Sequence, residues 1–216
     1  MAKNALIEHR PWLLASVVAA CAYYFLWNNP IGELYLIILK GSAVGLLALY
    51  AWRRTHGGDG LILVAVLALS AAADMALVLD ITIGGALFAL SHVAAIALYL
   101  RNRRNRTTSS QKLLAAALFI GAPVISYLLS QDILIAVYAV SLGGMAAAAW
   151  LSRFPRYRVG VGAVLFVISD WLIFSQTGPF DLSPVPNMLI WPLYYSGQLM
   201  IATGVVQTLR GEKPAY

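Results

Sequence analysis

Four ionisable side chains stand inside long apolar runs of the sequence: Lys40, Asp74, His92 and Asp170. Asp170 is the clearest case, at the centre of "FVISDWLIF". A carboxylate in apolar surroundings is costly unless it is paired, hydrogen-bonded or put to use. Uncharged polar groups in similar runs are Tyr194, Tyr195 and Gln198. Two carboxyl groups in unlike surroundings divide acid and base roles, because an apolar setting favours the protonated form and a nearby cation the ionised one. Other chemistries are excluded. His92 is the only histidine in these runs, so a three-histidine zinc site cannot form there. No Gly-x-Ser-x-Gly elbow and no phosphate-cradling glycine loop occurs. The single cysteine, Cys21, rules out an internal disulfide framework. No metal or cofactor is expected.

The chain of 216 residues is 61% hydrophobic and 11% charged, against roughly a quarter charged in a soluble domain. Eight runs meet the length of about 17–25 mostly apolar residues that a membrane helix needs. They cover 11–27, 33–52, 60–79, 84–100, 112–129, 133–151, 159–176 and 188–209. The sequence thus predicts an all-α, polytopic bundle of eight transmembrane helices forming one domain over 1–216. The first run follows "EHRP" and lacks a small-residue cleavage site, so it reads as a retained helix.

Lys and Arg confirm the alternation. The N-terminus (Lys3, Arg10), the second loop (Arg53, Arg54), the fourth (Arg101, Arg103, Arg104, Arg106, Lys112), the sixth (Arg153, Arg156, Arg158) and the C-terminus (Arg210, Lys213) hold fourteen of the fifteen basic residues. The remaining one is Lys40, inside a helix, and the odd-numbered loops hold none. This positive-inside pattern puts both termini in the cytoplasm, and the expected location is the bacterial inner membrane. The net charge of +6 is therefore a topology and headgroup signal, and nucleic acid is not an expected partner.

That topology sets the depth of the polar groups. At about 1.5 Å per residue, Lys40, Asp74, His92, Asp170 and Tyr195 fall about 9–12 Å from the outer ends of their helices, and Gln198 about 15 Å. Five helices then deliver polar groups to one slab in the outer half of the membrane. Ser70 and Asp74 share a helix face, as do Tyr194 and Gln198, each pair being four apart. Ser91 and Ser169 read as backbone-bonding residues rather than nucleophiles. Asp80, Asp132, Asp181 and Glu33 read as solvated rim residues, and His9 and His56 lie on the cytoplasmic side. A purely structural role is the competing reading: the aspartates pair with Lys40 or bridge helices, and His92 is a satisfied interhelical donor.

At these residues the sequence resembles the YhhN family, the lysoplasmalogenase-type membrane proteins. "GAVLFVISDWLIF" (162–174) is similar to the family's glycine–apolar–Phe-x-x-Ser-Asp segment, and "YYSGQLMIA" (194–202) to its Tyr-Tyr-x-x-Gln segment. "AAADMALVL" (71–79) resembles a Gly-Asp segment, with Ala73 in place of the usual glycine. "ALFALSHVAAI" (86–96) resembles the Phe-x-x-x-His segment without its following aromatic. Lys40 matches the helix-2 lysine, with Gly41 where proline is common.

The resemblance implies hydrolysis of the vinyl-ether bond of lysoplasmalogens to a fatty aldehyde and glycerophospho-ethanolamine or -choline. It points to Asp74, Asp170 and His92 as catalytic and to Lys40, Tyr194, Tyr195 and Gln198 around the substrate, a lysophospholipid drawn from the membrane lipids. A vinyl ether hydrolyses through carbon protonation and an oxocarbenium ion, the cation of glycoside hydrolysis, where two carboxyl groups share the work. Asp170 is the expected general acid and Asp74 the base, with the reverse order open. His92 would orient or relay a proton, and Lys40 would hold an aspartate charged or meet the phosphate. A small proton-coupled transporter or lipid-binding protein could use the same polar cluster. Against transport, the two prolines within apolar runs, Pro123 and Pro192, sit beside neither Asp74 nor Asp170.

Overall fold

A computed structural model of the chain describes residues 10–180 and 182–211. Lys3, His9, Asp181 and Lys213, named above, lie outside the described residues. Among the described residues, eight α-helices follow one another: α1 (Arg10–Leu26), α2 (Glu33–Arg54), α3 (Gly58–Leu79), α4 (Ile81–Arg101), α5 (Ser109–Ser130), α6 (Ile133–Leu151), α7 (Val161–Ser175) and α8 (Val185–Gly211). A π-helical turn, Arg156–Gly160, leads into α7. Seven helices, α2 to α8 (α7 counted with its π turn), are long and apolar enough to cross a membrane, so this is a multi-pass integral membrane protein. The first helix is shorter, 17 residues or about 26 Å, against a hydrocarbon core of about 30 Å.

The helices start and stop where local chemistry satisfies their open ends. Asp80 alone separates α3 from α4, and its Oδ1 accepts from the backbone N–H of Thr82 (2.7 Å) and Ile83 (2.9 Å). Residues 81–83, which fall between two of the expected runs, are therefore helical. Asp132 caps α6 in the same way, accepting from Leu134 N at 2.7 Å. These two acids are exposed, as the sequence suggested, but each also ends a helix. Thr108 and Gln111 form a reciprocal capping box that begins α5 three residues before the expected start.

The described residues divide into two compact units, 10–91 with 206–211, and 92–205. In the first, α2 packs between α1 and α3. Gly41 makes one contact close: a Cβ there would lie 3.3 Å from Ala71 O and would overlap the Met75 side chain. Ser91 hydrogen-bonds Ser70 (2.9 Å) and donates to Val66 O (2.9 Å), so it ties α4 to α3. In the second unit, α5 and α6 form the tightest pair. Gly143 lets them meet, since a Cβ there would lie 2.8 Å from Leu118 O and 3.0 Å from Phe119 O. Phe119 O is the carbonyl that loses its helical donor to Pro123. Helix α7 lies against α8 through Gly162 and Gly197, and Ser169 donates to Ile190 O (2.9 Å) across the same contact. Ser91 and Ser169 thus spend their hydroxyl protons on carbonyls of neighbouring helices, the polar glue of membrane bundles.

Candidate functional site

Asp170 is buried on α7, 5% exposed, and one partner comes from α6. The Tyr138 hydroxyl donates to Asp170 Oδ2 at 2.8 Å. One turn along α6, Ser141 donates its hydroxyl proton to Tyr138 O (2.8 Å). With that proton used, Ser141 Oγ serves as acceptor for His92 Nδ1, 3.2 Å away. This assigns the Nδ1–H tautomer to His92 and leaves the lone pair on Nε2. His92 is 1% exposed, so the ring orientation is fixed by packing as well as by hydrogen bonding.

Aromatic rings extend from this centre in an unbroken chain. Phe174 meets Tyr138 (5.8 Å between centroids), Tyr138 meets His92 (5.5 Å) and His92 meets Phe166 edge-on (5.1 Å). Phe166 then meets Tyr194 (5.0 Å), Tyr194 meets Trp191 (5.7 Å), and Trp191 stacks on Tyr195 (6.1 Å). Four helices, α4, α6, α7 and α8, supply the seven rings. Gln198 Nε2 donates to Tyr194 Oη at 3.4 Å, which joins the two residues expected to share a face. The second unit therefore brings together His92, Asp170, Tyr194, Tyr195 and Gln198 through direct contacts or shared ring neighbours. A carboxylate and electron-rich rings can each stabilise a developing cation, and Asp170 joins this chain of rings through the Tyr138 hydroxyl.

Beyond this centre, a cavity of about 390 Å³ opens at the connection of α7 to α8, lined by Ser175, Gln176, Gly178, Phe180, Leu182 and Pro186. Ser175 is five residues past Asp170 on α7, or about 7.5 Å along its axis.

Lys40 and Asp74 belong to the first unit. Lys40 Nζ lies 5.9 Å from the centre of the Tyr23 ring, a cation–π contact. Asp74 is 2% exposed on α3. Ser70, one turn before Asp74, is fully buried, as their common face requires.

The YhhN family profile matches residues 35–205, which takes in every residue of both groups except Tyr23. The chain belongs to the YhhN family. No curated protein and no solved structure matches it. In this YhhN protein, besides the aromatic packing partners, two hydrogen-bonding residues of the Asp170 centre were not anticipated. Tyr138 and Ser141 carry no charge and sit in "LIAVYAVSLGG", a run with no other polar group. Their spacing of three, which puts them on one helix face, was the one available signal. Among the described residues, no group of three or more His, Cys, Asp or Glu side chains is placed to share a metal ion.

Proposed function

We propose that this YhhN protein hydrolyses the vinyl-ether bond of lysoplasmalogens, releasing a fatty aldehyde and glycerophospho-ethanolamine or -choline. The observation that carries the reading is the buried Asp170 carboxyl, fixed by Tyr138 at the edge of an aromatic wall. The reaction begins when an acid gives its proton to the vinyl carbon remote from oxygen. The resulting oxocarbenium ion takes up water at its oxygen-bearing carbon. The hemiacetal then collapses, its hydroxyl proton leaves, and the glycerol oxygen departs protonated. Asp170 supplies the first proton in this scheme. Phe166 and Tyr194 face the cation, and His92 Nε2 accepts a proton from the attacking water. The headgroup takes the cavity past Ser175, and the hydrocarbon chain lies among the apolar helix faces. Asp74, with Lys40, is assigned to the second carboxylate role by the family resemblance alone. The location that goes with this reading is a bacterial inner membrane, with the basic loops and both chain ends on the cytoplasmic side.

Incubating the purified protein with lysoplasmenyl-ethanolamine in detergent and measuring free aldehyde tests the proposal. Aldehyde release above the protein-free rate supports it. Ligand-dependent thermal stabilisation without product would assign the cluster to binding or transport instead.

Tyr138 acts through Asp170, so it is a positioning residue. Tyr138→Phe keeps the ring contacts with His92 and Phe174 and removes the hydrogen bond to the carboxylate that Asp170 becomes as it gives up its proton, an interaction of about 1.5–3 kcal/mol. The expected result is a fall in kcat of about 10- to 100-fold with KM little changed. A ring that only packed would leave kcat at the wild-type value.

A further inference from the structure

Two connections of the second unit are stitched together at the basic ends of the helices. Arg103 and Ser152 form an antiparallel bridge. Arg104 N donates to Leu151 O (3.1 Å), and Arg153 N to Asn102 O (2.8 Å). Side chains repeat the pattern: Arg153 Nε donates to Asn102 Oδ1 (2.7 Å) and Arg104 Nε to Ser152 O (3.3 Å). Asn102 is itself buried and donates to Leu98 O (3.0 Å). Phe154 anchors the second connection, with no exposed surface and its ring edge-on to the buried Tyr99 (6.1 Å). The result is a rigid platform in a place where loops are ordinarily mobile.

This platform concentrates positive charge. Residues 101–108 and 151–160 contain seven arginines and no acid. Burial, then the charge of the Arg156 guanidinium, holds Arg104 below the usual arginine range, so the two groups press on one another. Arg156 adds a second sign of a missing partner: its Nε is shielded from solvent and has no acceptor. A shielded donor without an acceptor is rare in folded proteins. Topology alone accounts for arginines on this side of the membrane. It does not account for two arginine-bearing loops stitched together and an orphaned N–H on one of them.

We propose that Arg104 and Arg156 form a binding site for a phosphate group, carried by an anionic lipid headgroup or by free phosphate. Phosphate suits the pair because its several oxygens accept from two guanidinium forks at once. It also relieves the repulsion between them. The helix ends place the pair where lipid phosphates lie. The site is separate from the Asp170 centre and does not depend on the reaction proposed there.

The test uses full-length protein in nanodiscs of phosphatidylcholine, with or without phosphatidylglycerol, and protein in detergent titrated with inorganic phosphate. Thermal unfolding and retained lipid by native mass spectrometry are the readouts. Wild-type protein is expected to be stabilised by phosphatidylglycerol and to retain it. Stabilisation by inorganic phosphate as well assigns the site to phosphate in general; stabilisation by the lipid alone assigns it to the headgroup. R104Q/R156Q is expected to bind about 10- to 100-fold more weakly, having lost charge-assisted hydrogen bonds. R101Q/R106Q, with the same change in net charge, is expected to bind like wild type. An absence of stabilisation by both ligands would overturn the proposal on wild-type protein alone, whatever the variants do. Equal weakening in the two double variants would also overturn it, because the attraction would then be general.

Discussion

Replacing Asp170 by asparagine is expected to lower aldehyde release from lysoplasmenyl-ethanolamine by about 10²–10⁴-fold, the usual contribution of a general acid. Asparagine has nearly the shape of aspartate, and its carbonyl oxygen still accepts from Tyr138. It has no carboxyl proton to give to carbon. Folding is therefore expected to survive, with an unchanged gel-filtration profile and helical circular dichroism. The loss should fall on kcat rather than KM, because the acid acts in the transition state and not in lipid binding. The two substitutions on this hydrogen bond also separate cause from support. Tyr138→Phe leaves the acid present but less well held, so its loss is smaller. Equal losses in both would mean that Asp170 matters only for structure.

The second large effect is on stability. Gly162 and Gly197 meet backbone to backbone where α7 crosses α8. A Cβ on Gly197 would lie 2.6 Å from Gly162 O, and a Cβ on Gly162 would lie 2.7 Å from Gly197 O. Neither neighbour is a side chain that can rotate away, so the helices must separate. Gly162→Ala and Gly197→Ala are each expected to cost about 1–3 kcal/mol, the usual result of overpacking. Helix separation would also shift Ser169 from Ile190 O and Phe166 from Tyr194, which couples this crossing to the site. Gly85→Ala on α4 is the control, since a Cβ there meets nothing within 4 Å. It should be neutral or stabilising by about 0.5–1 kcal/mol, because alanine is the better helix former. Thermal unfolding in detergent checks all three. Equal midpoints for the Gly197 and Gly85 variants would show that the crossing has room to spare.

Most of the helical framework was legible because membrane helices must be long and apolar, and seven of the eight expected runs are helices that meet that length among the described residues. The ends were less legible. Asp80 looked like part of a loop, yet it is a one-residue connection whose carboxylate caps the next helix. Composition does not distinguish those two roles; backbone geometry does. In the site, Asp170 and His92 stood out because charge in an apolar run has few explanations. The Tyr194–Gln198 contact followed from helical spacing. Tyr138 did not stand out, although its hydroxyl holds Asp170. A tyrosine in a membrane helix usually marks an interface. Its role emerges only when α6 lies against α7, bringing residues 32 apart in sequence to hydrogen-bond distance. Tyr23, which meets Lys40, was hidden in the same way among the aromatic residues of "YYFLW".

The central claim is that a carboxyl group in this protein protonates carbon. Running the reaction in D₂O, with immediate reduction of the aldehyde to prevent later exchange, tests it most directly. The account predicts one deuterium on the carbon next to the former aldehyde group in the wild-type product, and no enzymatic product from Asp170→Asn. Undeuterated product from the wild-type protein, or turnover by Asp170→Asn at the wild-type rate, would contradict it.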